Sequence, residues 1–372
     1  MTDATNMTAG RAVAAQSLPG EEDLRFIRNF HDVFLSLGIA MFAGGLGIAT
    51  AMILAPMIKA TAEAGGEAFR ETLTLISGAA AIDAVIMWLM AEFFARGRRL
   101  FLPSIVILLA FNAFFIIAAG AAYGAWLNLD KAFFERLDDA GLTGAIRQAS
   151  EFFLVVLGAT AAAIFVFYAR MKLPFAMGVF GYSLASVGVA AAFHTWPEKA
   201  ESLMQPAQLA AGVSIFLLGV YFDARDPERK TRISDNGFWL HFFAAPLILN
   251  SVLGMTVGAD MLTQNSSGAA IVTLIVVFIF AVVSLLINRR ALLVAGLLYA
   301  LIAAGYLISK VGLSGGWTAA ATLLVMGGSM VLLGGGWHSL RRVVVAPFPK
   351  TGLLARIIPP EPSKAERRKV SE

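Results

Sequence analysis

The chain has no cysteine, which excludes disulfides, thiolate metal sites and cysteine nucleophiles together. Charge is scarce too: Asp, Glu, Lys and Arg make up 15% of the 372 residues, against about 25% in soluble domains. The formal net charge is only +4, and the basic residues fall in short clusters between apolar runs. That distribution argues against a nucleic-acid partner, which would need one basic face. The four histidines, His31, His194, His241 and His338, stand on separate segments without metal-ligand spacing. Neither a phosphate-cradling Gly-x-x-x-x-Gly-Lys nor a His-Glu-x-x-His occurs. No catalytic residue, cofactor or metal is expected, and the reading leans away from an enzyme.

What the chain does have is apolar surface. Hydrophobic residues are 58% of the sequence, and the mean hydropathy is +0.74. Water is a poor solvent for such a chain; a bilayer is the expected one. Ten runs approach the ~20 residues that cross about 30 Å of hydrocarbon: 33–57, 73–95, 101–127, 151–169, 173–193, 206–222, 237–259, 268–288, 291–309 and 317–337. They are continuous instead of alternating, so helices are expected and a β-barrel is not. The fold class is therefore an all-α integral membrane protein, with about ten transmembrane helices arranged as consecutive hairpins. Residues 1–32 are expected to be a polar, largely disordered cytosolic segment, 33–337 the membrane domain, and 338–372 a basic, Pro-containing cytosolic tail. The first apolar run is too long for the core of a secretory signal.

Charge sets the expected orientation. With both termini in the cytosol, 22 of the 29 basic residues lie on the inner side; only Lys59, Arg70, Lys131, Arg136, Arg147, Lys199 and Lys310 lie outside. This is the positive-inside pattern, repeated at every inner turn. The inner turns Arg98-Arg99-Leu100-Phe101-Leu102-Pro103, Arg170-Met171-Lys172-Leu173-Pro174 and Arg289-Arg290-Ala291-Leu292 also look alike. They read either as a duplicated hairpin or as the ordinary alternation of basic turn and apolar helix. Between Asn128 and Ser150, Phe133, Phe134, Leu137, Leu142 and Ile146 interleave with charges, as in a helix lying in the interface, read either as a connector resting on headgroups or as a lid over a cavity. Gly44, Gly45, Gly47, Gly178, Gly181, Gly327 and Gly328 are expected to let helices approach closely. Five of the six tryptophans fall near span ends, as an aromatic belt would place them; Trp88 lies inside its span.

Few residues are placed to carry chemistry. Asp83 sits near the middle of the second span, Asn112 at the matching depth of the third, and Asn250 near the middle of the seventh. A carboxylate at that depth costs about 2.5–3.5 kcal/mol by insertion scales, so it must face protein or water, or be protonated. The three groups either line one polar cavity or hydrogen-bond helices together. His241, one turn inside the seventh span among Phe238, Trp239, Phe242 and Phe243, reads either as a proton relay at the mouth of a polar cavity or as an anchor at the headgroup level, the second favoured because its own helix supplies no carboxylate at i±4. Pro246 should kink that helix, and Ser234 and Asp235 are its N-cap candidates. Glu92, one turn before Arg96, is explained by a surface ion pair. The loop from Asp223 to Arg232 carries seven charges, and Arg225, Arg229, Lys230 and Arg232 form a candidate cytosolic docking surface.

The segment Asp223-x-x-Asp226-Pro227-x-Arg229-x-Thr231-Arg232-x-Ser234-Asp235-x-x-Phe238-Trp239-Leu240-His241-x-x-Ala244-Ala245-Pro246 resembles the signature of a family of uncharacterised polytopic inner-membrane proteins of bacteria. Asn288-Arg289-Arg290, Trp337-x-x-x-Arg341-Arg342 and Pro359-Pro360 are similar as well, and the hairpin pattern resembles DUF2157-type membrane proteins. The resemblance implies a multi-pass location in the bacterial inner membrane and no particular activity. A non-enzymatic scaffold or assembly factor, with the lipid bilayer and proteins at its cytosolic loops as partners, is the first expectation. A small-solute or ion transporter using the midplane polar groups is the alternative, and an enzyme acting on a lipid-linked substrate is the third.

Overall fold

Every apolar run read from the sequence forms a helix. The computed structural model describes residues 30–64, 67–128, 131–227, 229, 233–258, 266–349 and 357–358. The helices are α1 (Phe30–Ala64), α2 (Glu67–Ala91), α3 (Phe101–Trp126), α4 (Lys131–Asp139), α5 (Gly141–Met171), α6 (Pro174–Thr195), α7 (Ala200–Arg225), α8 (Ile233–Thr256), α9 (Ser267–Ile287), α10 (Ala291–Ser309), α11 (Gly315–Gly335) and α12 (Trp337–Val345). No strand occurs among the described residues. Ten of the helices are long and apolar enough to cross a bilayer; α4 and α12 are short. Large apolar side chains such as Met41, Met52, Phe278 and Leu324 point outward. That surface suits hydrocarbon and would aggregate in water. The chain is an all-α polytopic membrane protein.

The hairpins are tight for a local reason. Arg99, Lys172, Arg229 and Asn288 all have φ between 52° and 55°, and each stands in one of four turns on the same face, the face of the basic clusters. A left-handed residue reverses the chain in few residues, and Pro174 then opens α6 at its first position, where no N–H is needed. These turns join α2 to α3, α5 to α6, α7 to α8 and α9 to α10.

Packing is uneven. Gly178 and Gly181 of α6 lie against Trp239, Phe243 and Leu240 of α8, and Gly212 of α7 against Leu247 and Ile248. These contacts make α8 the innermost helix: half of its most apolar stretch is buried, against 6% for α11. Gly47 meets Phe114, but Gly44, Gly45, Gly327 and Gly328 have no neighbour among the described residues that a Cβ would meet, so the expected close packing at those four is not made among those residues.

Several local expectations are corrected. Helix α5 starts at Gly141, ten residues early, because a left-handed glycine (φ 64°) separates it from α4; the interfacial helix expected over 128–150 is thus divided. The described part of helix α8 begins at Ile233, so Ser234 and Asp235 lie within it and not before it. Pro246, where the kink is expected, lies inside this helix, as the sequence places it. Tryptophan lines the rim at one end only: Trp126, Trp196 and Trp317 are exposed, whereas Trp239 and Trp337 are buried. Trp239 packs on Phe101 and Phe175. Trp88 packs on Phe111 and Phe167. The expected disordered segment at the N-terminus, and most of the C-terminal tail, lie outside the described residues.

Candidate functional site

The densest polar cluster joins three helix ends at the basic face. Asp223 lies in the last turn of α7, His241 in the third turn of α8, and Arg289 just after the left-handed Asn288 that ends α9. Their exposures are 5%, 0% and 2%. His241 Nε2 is 3.0 Å from Asp223 Oδ2. The Arg289 guanidinium grips the same carboxylate with two nitrogens, Nε donating to Oδ2 at 3.1 Å and a terminal nitrogen to Oδ1. The latter nitrogen also donates to the Ser234 carbonyl at 2.9 Å. A forked, charge-assisted contact of this kind is among the strongest polar interactions a protein makes.

Two glycines make the cluster fit. Gly219 is one turn before Asp223, and a Cβ there would lie 2.9 Å from His241 Cε1. Gly237 is one turn before His241, and a Cβ there would collide with Asp223 Oδ1. Phe216 closes the ring's other side, with centroids 4.8 Å apart. With its proton on Nε2 the imidazole donates to the carboxylate, and Nδ1 is left without a partner. Asp223 and Arg289 cancel in charge, so a neutral ring completes a closed, neutral cluster.

A second layer holds the end of α9. Arg229 donates to the carbonyls of Asn288 and Ile287, both at 2.8 Å. Arg341 donates to the Leu285 carbonyl at 3.2 Å, and Trp337 Nε1 to Asn288 Oδ1 at 2.8 Å. Cations and donors at a helix C-terminus satisfy its orphan carbonyls and oppose its dipole. The cluster thus fastens α7, α8, α9 and α12 at one face.

The residues singled out in the sequence fall into different environments. His241 is not a headgroup anchor; its carboxylate partner comes from α7, which the absence of an acid on its own helix concealed. Arg229 belongs to the cap of α9 and is not a free docking group. Arg225 is exposed and lies over the Tyr221 ring at 4.3 Å. Lys230 and Arg232 lie outside the described residues. Asp83 accepts from Thr50 Oγ1 of α1 at 2.8 Å, whereas Asn250 accepts from Tyr299 of α10. Asn112 Oδ1 is buried without a partner. Glu92 bonds Arg96 as expected, at 3.2 Å, but also Arg170 of α5 at 2.7 Å.

The sequence contains a Gly-x-Ser-x-Gly spacing at Gly312–Gly316, but it joins two helices and caps α11. A nucleophile elbow needs a strand before it. Among the described residues no three His, Asp or Glu side chains are grouped to hold a metal. Comparison with family models, with curated proteins and with solved structures found no match to this chain.

Proposed function

We propose that the protein is a non-enzymatic scaffold or assembly factor of the bacterial inner membrane, with its basic turns and both termini in the cytosol. One observation supports this reading above the others. Four polar contacts of the spans are separate helix–helix clasps: Asp83 with Thr50, Ser77 with the Ala118 carbonyl, Asn236 with Tyr168 and Asn250 with Tyr299. The charged cluster of Asp223, His241 and Arg289 is closed by its own partners and by close-packed glycines. Such a body is built to hold a shape, and it presents Arg225, Arg290 and Arg342 on its basic face. A protein with complementary acidic side chains is the partner that face would take. Transport is the competing reading, favoured by the unpaired Asn112.

The test is direct. Photo-crosslinkers placed at Arg225 and Arg342 should trap a discrete protein in native membranes, and one at Leu142, at the other end, should not. Purified protein in vesicles should pass ions and small solutes no faster than empty vesicles. A flux that Asp83→Asn abolishes would replace the scaffold by a transporter.

A further inference from the structure

The seam between α2 and α5 changes character where it reaches the basic face. Both helices end at that face, so they run parallel. They touch through the rings of Trp88 and Phe167, edge to face at 5.6 Å. One turn on, Glu92 accepts from Arg170 Nε at 2.7 Å. Glu92 also opens a wider, π-helical turn, Glu92–Gly97, which brings Arg96 back to the same carboxylate at 3.2 Å. One acid holds two arginines beside each other, each about half exposed. Arg170 spends its Nε on Glu92. Its two terminal nitrogens, the fork that fits a phosphate, have no partner among the described residues.

The two sides of the seam differ. An α-helix turns about 100° per residue. In parallel helices that face each other at Trp88 and Phe167, Leu89 and Val166 turn to one side, and Met87 and Ile164 to the other. Leu89 and Val166 are more than half exposed, whereas Met87 and Ile164 are fully buried. Phe111 of α3 closes the buried side against both rings. The open side is a strip with apolar walls, and the arginine pair stands one turn above it. Arg98, folded over the exposed Phe93 ring at 4.9 Å, adds a third cation. Arg99 and Lys172 follow in the adjoining turns, and Glu92 is the one acid between residues 92 and 100 or 170 and 173.

We infer that the open side of this seam seats one anionic phospholipid of the leaflet at the basic face. Its phosphate lies on Arg96 and Arg170 with Arg98 beside them, and an acyl chain runs along Leu89 and Val166. Cations at the bilayer rim attract anionic headgroups, and Glu92 already fixes both guanidiniums, so little side-chain freedom is lost on binding. A zwitterionic headgroup brings a cation of its own into a seat that is already basic. An acidic protein segment would meet the arginines but not the walls, which lie a turn deeper in hydrocarbon. A lipid held there fastens the ends of the α2–α3 and α5–α6 hairpins together. The inference goes beyond the scaffold reading and does not rest on it, since the seat uses none of Arg225, Arg290 and Arg342.

The purified full chain in detergent is titrated with dioleoyl phosphatidylglycerol or dioleoyl phosphatidylcholine. Bound lipid is counted by native mass spectrometry, and the unfolding midpoint is followed in parallel. Phosphatidylglycerol should be retained at one tightest site and raise the midpoint; phosphatidylcholine at the same concentration should do neither. Arg96→Gln with Arg170→Gln should weaken retention at that site by about tenfold or more. Val166→Trp keeps every charge but crowds the apolar wall one turn below Arg170. It should weaken retention comparably, and it carries the test if the double variant does not fold. Lys310→Gln, at the opposite rim, should respond like the parent. Equal retention of the two lipids by the parent overturns the seat, as does a tightest site that survives the double arginine change. Glycerol 3-phosphate that raises the midpoint as well as the lipid does would replace the lipid by a soluble anion. Lipid retention and protein crosslinking are separate readouts, so this seat and the scaffold can fail independently.

Discussion

At the scale of residues, burial decides what each charge is worth. Asp223 and Arg289 are both nearly inaccessible, so removing one strands the other. Asp223→Asn should cost about 3–5 kcal/mol of stability, whereas Asp223→Leu with Arg289→Met should recover most of the loss. Thermal unfolding in detergent checks both, and additive losses in the double variant would show that the pair is not the unit. Arg289→Lys should behave like a loss, because an ammonium cannot reproduce the fork. Gly219→Ala should cost about 1–3 kcal/mol by forcing Cβ against the His241 ring; an unchanged midpoint would mean that α7 and α8 can separate freely. This cluster was only half legible. Asp223 and His241 stand in one charged-to-aromatic segment of the sequence, but their union depends on which way each helix face turns. Helices apolar on all sides carry no stripe to report that, since lipid and protein contacts look the same in composition. The signal that was present lay in spacing: Gly219 and Gly237 each precede a cluster member by one turn.

At the scale of elements, the ten spans were readable because hydrocarbon allows one backbone solution over that length. Their ends were less so. Helix α5 runs outward past Ser150 to Gly141 because a helix pays no attention to the bilayer rim, and hydropathy records only the rim. Docking of an element was not readable at all. Helix α8 carries glycine-lined neighbours on two sides, and α11 has few contacts beyond α10. Amide hydrogen exchange in nanodiscs should accordingly be slowest in α8 and faster in α11. Equal protection in both would indicate that α11 is covered by something other than lipid.

At the scale of the whole molecule, a pattern repeats. Glu92 ends the first helix of one hairpin and reaches Arg170 at the end of the first helix of the next. Asp223 ends the first helix of a later hairpin and reaches Arg289 at the end of the first helix of the one after. The basic turns read either as a duplicated hairpin or as ordinary alternation, and these two acid–arginine links run in the same order along the chain. They differ in setting, since Glu92 and Arg170 are partly exposed. Glu92→Gln should therefore leave the unfolding midpoint almost unmoved where Asp223→Asn does not. Because cysteine is absent, orientation can be read from single introduced thiols. An impermeant maleimide applied to intact cells should label Leu142→Cys and spare Ser339→Cys; the reverse would invert the topology. The Asp223–Arg289 link also carries a timetable. Its two members are 66 residues apart in sequence. A ribosome therefore releases the α7–α8 hairpin, with Asp223 and His241 already side by side, before the arginine that completes them exists. Final closure of that face must wait for α9 and its turn to emerge, and Trp337 comes later still. The order of synthesis is thus written into which residue locks which.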